Sequence, residues 1–205
     1  MRWIETDKGD PRCRELVDGV CLPEGKRKPH YTRQTPGHAM WTRPGWNQVL
    51  YAEQRTRSAR RAVFCWFRPK WESGIVGTER KDKLRAIECS IFRNESRFLS
   101  SKLIIEAISA LLTWEHALDV AWPDGIITGI GSEQTRGGRH ADHDPGYCFR
   151  EAGFVPFEHT KGRADVWLRF AGDFPPPITP PVSERLNAAR EKIARKAARD
   201  AERAT

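Results

Sequence analysis

The chain predicts a mixed α/β domain, and three features of its sequence carry that reading. Short apolar runs rich in β-branched and aromatic residues recur along it, among them Ala62-Val63-Phe64-Cys65-Trp66-Phe67. Leu103, Ile104, Ala107, Ile108, Leu111 and Leu112 instead repeat at helical spacing, which gives one helix an apolar face. From the middle of the chain onward the pattern runs strand, helix, strand, helix, strand, strand. A helix between consecutive strands brings them side by side in the same direction, so the centre of a mixed sheet should be parallel.

Taken in order, residues 1–29 are polar and rich in Gly, Pro, Lys and Arg. They read as a loosely structured lead-in with one short helix or strand near Glu15–Val20. Pro36-Gly37 and Pro44-Gly45 break the stretch that follows. Val49–Ala52 and Ala62–Phe67 read as strands, the second apolar on both faces and therefore buried on both. Leu84–Arg93 is a further strand that runs into the polar turn Arg93–Arg97, after which the Ser100 hydroxyl is a suitable helix N-cap. Trp122-Pro123-Asp124-Gly125 turns the chain into a compact strand, Gly125–Ile130. A loop rich in Gly, Arg, His and Asp spans Ser132 to Pro145. Tyr147–Ala152 reads as a short helix stopped by Gly153. Phe154–Glu158 and Asp165–Phe170 then close the domain as a hairpin around Lys161-Gly162-Arg163. There is no internal repeat.

Composition shifts after that hairpin. The domain therefore spans residues 1–172, a proline-rich linker 173–182, and a basic helical tail 183–205. In the linker, Phe174-Pro175-Pro176-Pro177-Ile178-Thr179-Pro180-Pro181 favours a stiff polyproline spacer. The tail starts at a capping Ser183 and carries Arg185, Arg190, Lys192, Arg195, Lys196, Arg199 and Arg203 against four acids. It reads as a solvated helix, or as one that contacts phosphates or associates with itself.

Thirty-five Lys and Arg against 27 Asp and Glu leave the chain at +8. Such a charge concentrates anionic partners around the protein. DNA is the first of these; a generally basic host proteome or an acidic protein partner is the alternative. No run approaches the ~18 apolar residues that a membrane span needs, and the N-terminus lacks an apolar signal core. No membrane association and a cytoplasmic location are the expectations. The five cysteines form no CxxC pair and no zinc-ribbon spacing, so they read as reduced and mostly buried thiols.

Ile87–Arg93 leads into Asn94–Ser101 at a helix start, where unpaired backbone N–H groups and the helix dipole favour an anion. Later, Tyr147-Cys148-Phe149-Arg150-Glu151-Ala152-Gly153-Phe154 is a short aromatic helix ending in Gly-Phe before a hairpin. In this order the segments resemble the GNAT (acetyltransferase-like) superfamily, over roughly Leu84 to Phe170. The resemblance implies a GNAT-like mixed central sheet flanked by helices, to which this chain adds its basic C-terminal helix. It also implies acetyl-CoA or another acyl-CoA as cofactor. The pyrophosphate would fall at Phe92, Arg93, Asn94, Ser96, Leu99, Ser100 and Ser101. The segment departs from the family in holding no glycine. The family's general acid, often a Tyr, aligns near Phe149, with the Tyr147 hydroxyl two residues earlier. A narrower likeness, on His30-Tyr31-Thr32-Arg33, Ile91–Glu95 and Asp144–Phe149, is to the Mom-like DNA-modification group encoded by phages, which alters the exocyclic amine of adenine.

The candidate catalytic residues are His30, Tyr147, Asp144 and Glu88. His30 is a general base or metal ligand, or else a turn histidine after Pro29. Tyr147 donates a proton, stacks on a displaced base, or simply packs at a helix start. Glu88 points into the cleft as a base or closes a salt bridge. His140, Asp142, His143 and Asp144 form the densest group of ligand types in the chain; with His30, Asp144 makes a candidate transition-metal site such as iron. For nucleic acid, Arg33, Trp41, Arg43, Arg57, Arg60 and Arg61 mix cations with rings, the combination that holds phosphates and stacks unpaired bases, or else they form a solvated turn whose Trp residues cover the edge of the core. Three functions follow: a transferase modifying DNA bases after replication, an acetyl-CoA-dependent N-acetyltransferase of a small or protein amine, and a non-catalytic nucleic-acid-binding protein.

Overall fold

Seven strands, in spatial order β1-β2-β3-β4-β5-β7-β6, make one sheet in a computed structural model that describes residues 3–18, 42, 45–54, 60–69, 80, 82–114, 122–130, 146–157 and 166–204. Along the chain the elements are β1 (Ile4–Thr6), α1 (Pro11–Asp18), β2 (Trp46–Gln54), β3 (Arg60–Arg68) and β4 (Ile87–Asn94). Then come α2 (Ser100–Leu112), β5 (Ile126–Ile130), α3 (Tyr147–Arg150), β6 (Phe154–Pro156), β7 (Val166–Phe170) and α4 (Glu184–Ala204). Neighbouring strands are antiparallel except for β4 and β5, which are parallel and joined through α2. The fold is mixed α/β, with its parallel pair at the centre.

The two sheet faces are buried differently. Side chains alternate along a strand, so Leu50, Phe64, Trp66, Ile87 and Cys89 lie on the α2 face, packed against Leu103, Ile104, Ala107, Ile108 and Leu111. Val49, Tyr51, Val63, Cys65 and Ile91 face the other way and pack on Cys13, Leu16 and Val17 of α1. Three donors on the α2 side also fix that helix. Trp3 Nε1 donates to Leu103 O at 3.0 Å, Trp66 Nε1 to Ala107 O at 2.9 Å, and Gln48 Nε2 to Ala110 O at 3.4 Å.

Two helix starts differ from the sequence expectation. The first helix begins at Pro11 because Asp10 caps it: Arg12 N donates to Asp10 Oδ1 at 3.0 Å. The cap of α2 is Leu99 and no side chain bonds to the helix start. Ser100 lies one residue inside, with its Oγ accepting from Asn94 Nδ2 at 3.1 Å. The helix therefore opens without the expected serine cap.

The proline-rich segment runs against the body. Ile178 N donates to Ser109 O at 3.1 Å, Glu5 N to Pro181 O at 2.8 Å, and Ser183 N to Glu5 O at 2.8 Å. Glu5 and Val182 thus form a parallel bridge at the β1 edge of the sheet. Ser183 Oγ then accepts from Leu186 N at 3.2 Å, capping α4. Ending the chain after Pro180 removes both Glu5 backbone bonds. At about 0.5–1.5 kcal/mol net for each, we expect a loss of about 1–3 kcal/mol, read as a lower urea midpoint. A midpoint equal to that of the full chain would show that the contact adds nothing.

Asp10 ties β1 to α1. It is buried, accepts from Thr6 Oγ1 at 2.8 Å, and holds the Arg12 guanidinium through Nη2 at 2.7 Å and Nε at 3.1 Å. Burial alone would raise its pKa, but the hydrogen bonds from Arg12 and Thr6 outweigh it and hold the carboxyl below its ordinary 3.8. A lowered carboxylate stabilises the fold above that ordinary value, and the stabilisation fades as pH falls through the lower folded value. Asp10→Asn should therefore lose stability at pH 7 and show a shallower loss below about pH 4. Parallel acid-denaturation curves for the two proteins would rule this out.

Candidate functional site

Strand β4 is paired on both edges only at its start. It ladders with β5 through Ile87–Ile126, Glu88–Ile127 and Cys89–Thr128. There the Thr128 hydroxyl donates to Cys89 O at 3.3 Å. At the same level the β3 ladder jumps from Trp66–Cys89 to Cys65–Ile91, leaving Ser90 as the bulged residue. Its Oγ donates to Cys65 O at 3.2 Å, which satisfies a carbonyl that the bulge displaces. Beyond this point β4 continues along β3, and among the described residues its ladder with β5 has ended, which makes the opening between the carboxyl-terminal ends of β4 and β5 the candidate cleft. Clefts outside the carboxyl ends of parallel strands are where α/β sheets commonly bind ligands.

Helix α3 packs against the end of β4 and the start of β6. Its Phe149 packs edge-on against Phe92 of β4 at 5.9 Å between centroids and against Phe154 at 5.2 Å. Gly146, at φ +83°, starts the helix; a Cβ there would lie 2.7 Å from Ile130 Cδ1 and 2.8 Å from Leu168 Cδ1. Only glycine accepts both the backbone angle and the contact. Tyr147, the residue after Gly146, is exposed. Cys148, half-buried, has its thiol pushed up to about 11 by burial, so it is protonated at neutral pH.

The loop from β4 to α2 folds its polar side chains onto itself. Asn94 Oδ1 accepts from Ser96 N at 2.8 Å and Ser96 Oγ at 2.6 Å, while Asn94 Nδ2 donates to Phe98 O at 2.8 Å. These bonds hold an exposed turn carrying Arg97, Phe98 and Leu99. Arg93 alternates to the face opposite Phe92 and pairs with Glu95 at 2.9 Å. Of the seven residues expected to hold a pyrophosphate, Asn94 and Ser96 shape the loop and Phe92 packs inside. Leu99, Ser100 and Ser101 form the start of α2, and Arg93 lies on the other side of the sheet. The first N–H groups of α2 have no side-chain cap. Lys102 and Arg97, both exposed, add charge beside them.

Glu88 belongs to a different environment. It points to the face away from α2 and is bonded to Arg80, which also binds Asp82, Nε to Oδ1 at 2.8 Å. All three side chains are buried, and the Arg80 guanidinium lies 5.2 Å from the Trp167 ring centre. Burial works against the Arg80 charge, but hydrogen bonding to Asp82 and the charge of Glu88 more than offset it and raise its pKa. Arg80 carried no sequence signal, because it sits in an aperiodic charged stretch. Gly146 entered only as part of the Asp144–Phe149 segment, and Ser90 carried no signal.

His30, Arg33, Trp41, Arg43, Arg57 and Asp144 lie outside the described residues, as do all six histidines of the chain. Among the described residues no three His, Cys, Asp or Glu side chains gather into a metal-binding group. Arg60 and Arg61 start β3, and Arg61 pairs with Glu15 of α1 at 3.3 Å. Removing one partner from a buried ion cluster costs about 3–5 kcal/mol, so Glu88→Ala should lower stability by that order in urea unfolding. A variant as stable as the parent but catalytically dead would return Glu88 to the role of base. No family model, curated protein or solved structure matches this chain.

Proposed function

We propose that this protein is a GNAT-fold transferase that modifies DNA bases, in the manner of the phage Mom-like group. The observation that carries the reading is the parallel pair whose ladder ends at Cys89 and Thr128, with β4 running on to the uncapped start of α2. A strand, an anion-receiving helix start, a second strand and a short aromatic helix ending in Gly153-Phe154 occur here in the order of that superfamily. The donor set suits a pyrophosphate-bearing acyl donor. It consists of backbone N–H groups of Ser100, Ser101 and Lys102 with the cations of Arg97 and Lys102, in a loop stiffened by Asn94. When bound, such a donor supplies an activated acyl group. The chain's own part is to hold it at the helix start and to offer the Tyr147 hydroxyl at the opposite rim as proton donor or base-stacking ring. The net charge of +8 supports a polyanionic substrate.

The decisive experiment is mass spectrometry of nucleosides from DNA of cells expressing the protein, with Tyr147→Phe and His30→Ala alongside. A new adenine-derived nucleoside that drops at least tenfold in Tyr147→Phe is the expected result. An unchanged profile from soluble, folded protein would overturn the reading. Acetyl-CoA binding without DNA would then favour an amine N-acetyltransferase. A second reading, non-catalytic binding of nucleic acid, draws on the ion pairs that occupy Glu88 and Arg93.

A further inference from the structure

Helix α4 is anchored at one end and fully exposed over most of the rest. Its first two turns are tied to β1: Arg185 pairs with Asp7 at 2.5 Å and Arg190 with Glu5 at 2.7 Å. From Glu191 to Glu202 every residue is exposed, Ile193 at 70%. At about 3.6 residues per turn, Lys192, Arg195, Lys196 and Arg199 fall within one arc of about 100°, a stripe about 10 Å long. Arg190 lies on the opposite side, where it reaches Glu5. In the stripe, Arg195 pairs with Glu191 at 3.1 Å, but both side chains are mostly exposed, and such a pair is exchanged for a phosphate at little cost.

We propose that this projecting half of α4 is a docking arm for the phosphate backbone of duplex nucleic acid. The composition of the arm selects this occupant. A coiled-coil partner needs a repeated apolar seam, and Ile193 is the one large apolar residue between Glu191 and Glu202. A membrane surface needs bulky apolar or Trp side chains next to the cations, and alanines stand there instead. Single strands are held by stacking, and α4 contains no aromatic residue. A stripe of cations with no ring or amide beside it neutralises phosphates and reads no sequence.

The position of the arm fits the same duplex to the cleft. Glu5, Leu50, Phe64 and Phe92 are register partners in one row across the sheet. The base of the arm thus stands level with the mouth of the opening, three strand spacings or about 14 Å away, well within one duplex turn of about 34 Å. The inference shares its DNA partner with the proposed function, yet the arm can bind whether or not the cleft reacts.

Fluorescence anisotropy with a labelled 20-base-pair duplex, on the full chain across 50–200 mM KCl, tests it with the variant Lys192→Gln/Lys196→Gln/Arg199→Gln. Glutamine keeps helix propensity while removing charge. The expected result is at least tenfold weaker binding at 50 mM, with a slope of log affinity against log salt shallower by about 3, near 0.9 for each lost phosphate contact. Equal affinity and slope for both proteins would overturn the arm. So would a wild-type chain that ignores the duplex, binds phosphatidylserine vesicles instead, or forms an α4-dependent dimer in sedimentation. The nucleoside profile separates the two proposals. Modified nucleoside with variant-insensitive duplex binding sinks the arm alone. Arm-dependent binding with no modified nucleoside sinks the DNA-modifying reading and leaves the arm standing.

Discussion

The indole N–H groups of Trp3 and Trp66 donate to the carbonyls of Leu103 and Ala107, one helical turn apart on α2. Mid-helix carbonyls already accept from within the helix, so these bonds use a second lone pair and add direction to an otherwise apolar contact. Hydrophobic burial alone holds a helix on a sheet but lets it slide along its axis. Two donors at i and i+4, with Gln48 reaching Ala110 at i+7, fix the axial position of α2 against β1, β2 and β3. The helix start is thereby held beside the end of β4, and the opening has a defined wall.

The sheet divides its polar work between faces. On the α2 face, the interior under the opening is apolar and aromatic: Phe64, Phe92, Phe149, Phe154 and Phe170 form a chain of tilted and edge-on contacts. On the other face, Arg80, Asp82 and Glu88 bury an ion cluster against Trp167. Cys89, whose burial pushes its thiol far up, directly follows Glu88 of that cluster but lies on the opposite face. Alternation along β4 therefore sets which chemistry is available to a ligand. The Glu88 carboxylate is thereby held behind the sheet, in the cluster with Arg80 and Asp82.

The regular parts of this fold were legible because their periodicities are strong. Leu103–Leu112 could only bury one helical face, and Ala62–Phe67 could only be a strand covered on both sides. The helix–strand alternation then led to the parallel centre. What periodicity does not encode is where a side chain finds a partner. Ser100 has the chemistry of an N-cap, yet Asn94 takes its hydroxyl and Leu99 takes the cap position. Arg93 reads as a phosphate ligand beside the turn, but its place in the strand turns it to the α1 face and onto Glu95. β1 was hidden in a polar lead-in because three residues carry too little pattern. Its strand character comes from pairing with β2 and with Val182, not from its own sequence.

That last pairing gives the two ends of the chain a common role. Glu5 receives a hydrogen bond from Ser183 N and donates one to Pro181 O, and its carboxylate holds Arg190. Burial raises the Glu5 carboxyl, while the positive charge of Arg190 opposes the rise. One residue of a three-residue strand thus sets the point at which α4 leaves the body. Prolines 175, 176, 177, 180 and 181 approach that point along α2 with little conformational freedom. A flexible linker would let the basic helix sample a wide volume and would lower its effective concentration over the opening. A stiff approach that ends in a sheet bridge does the reverse. It holds the base of α4 at Glu5, in the sheet row that runs through Leu50 and Phe64 to Phe92.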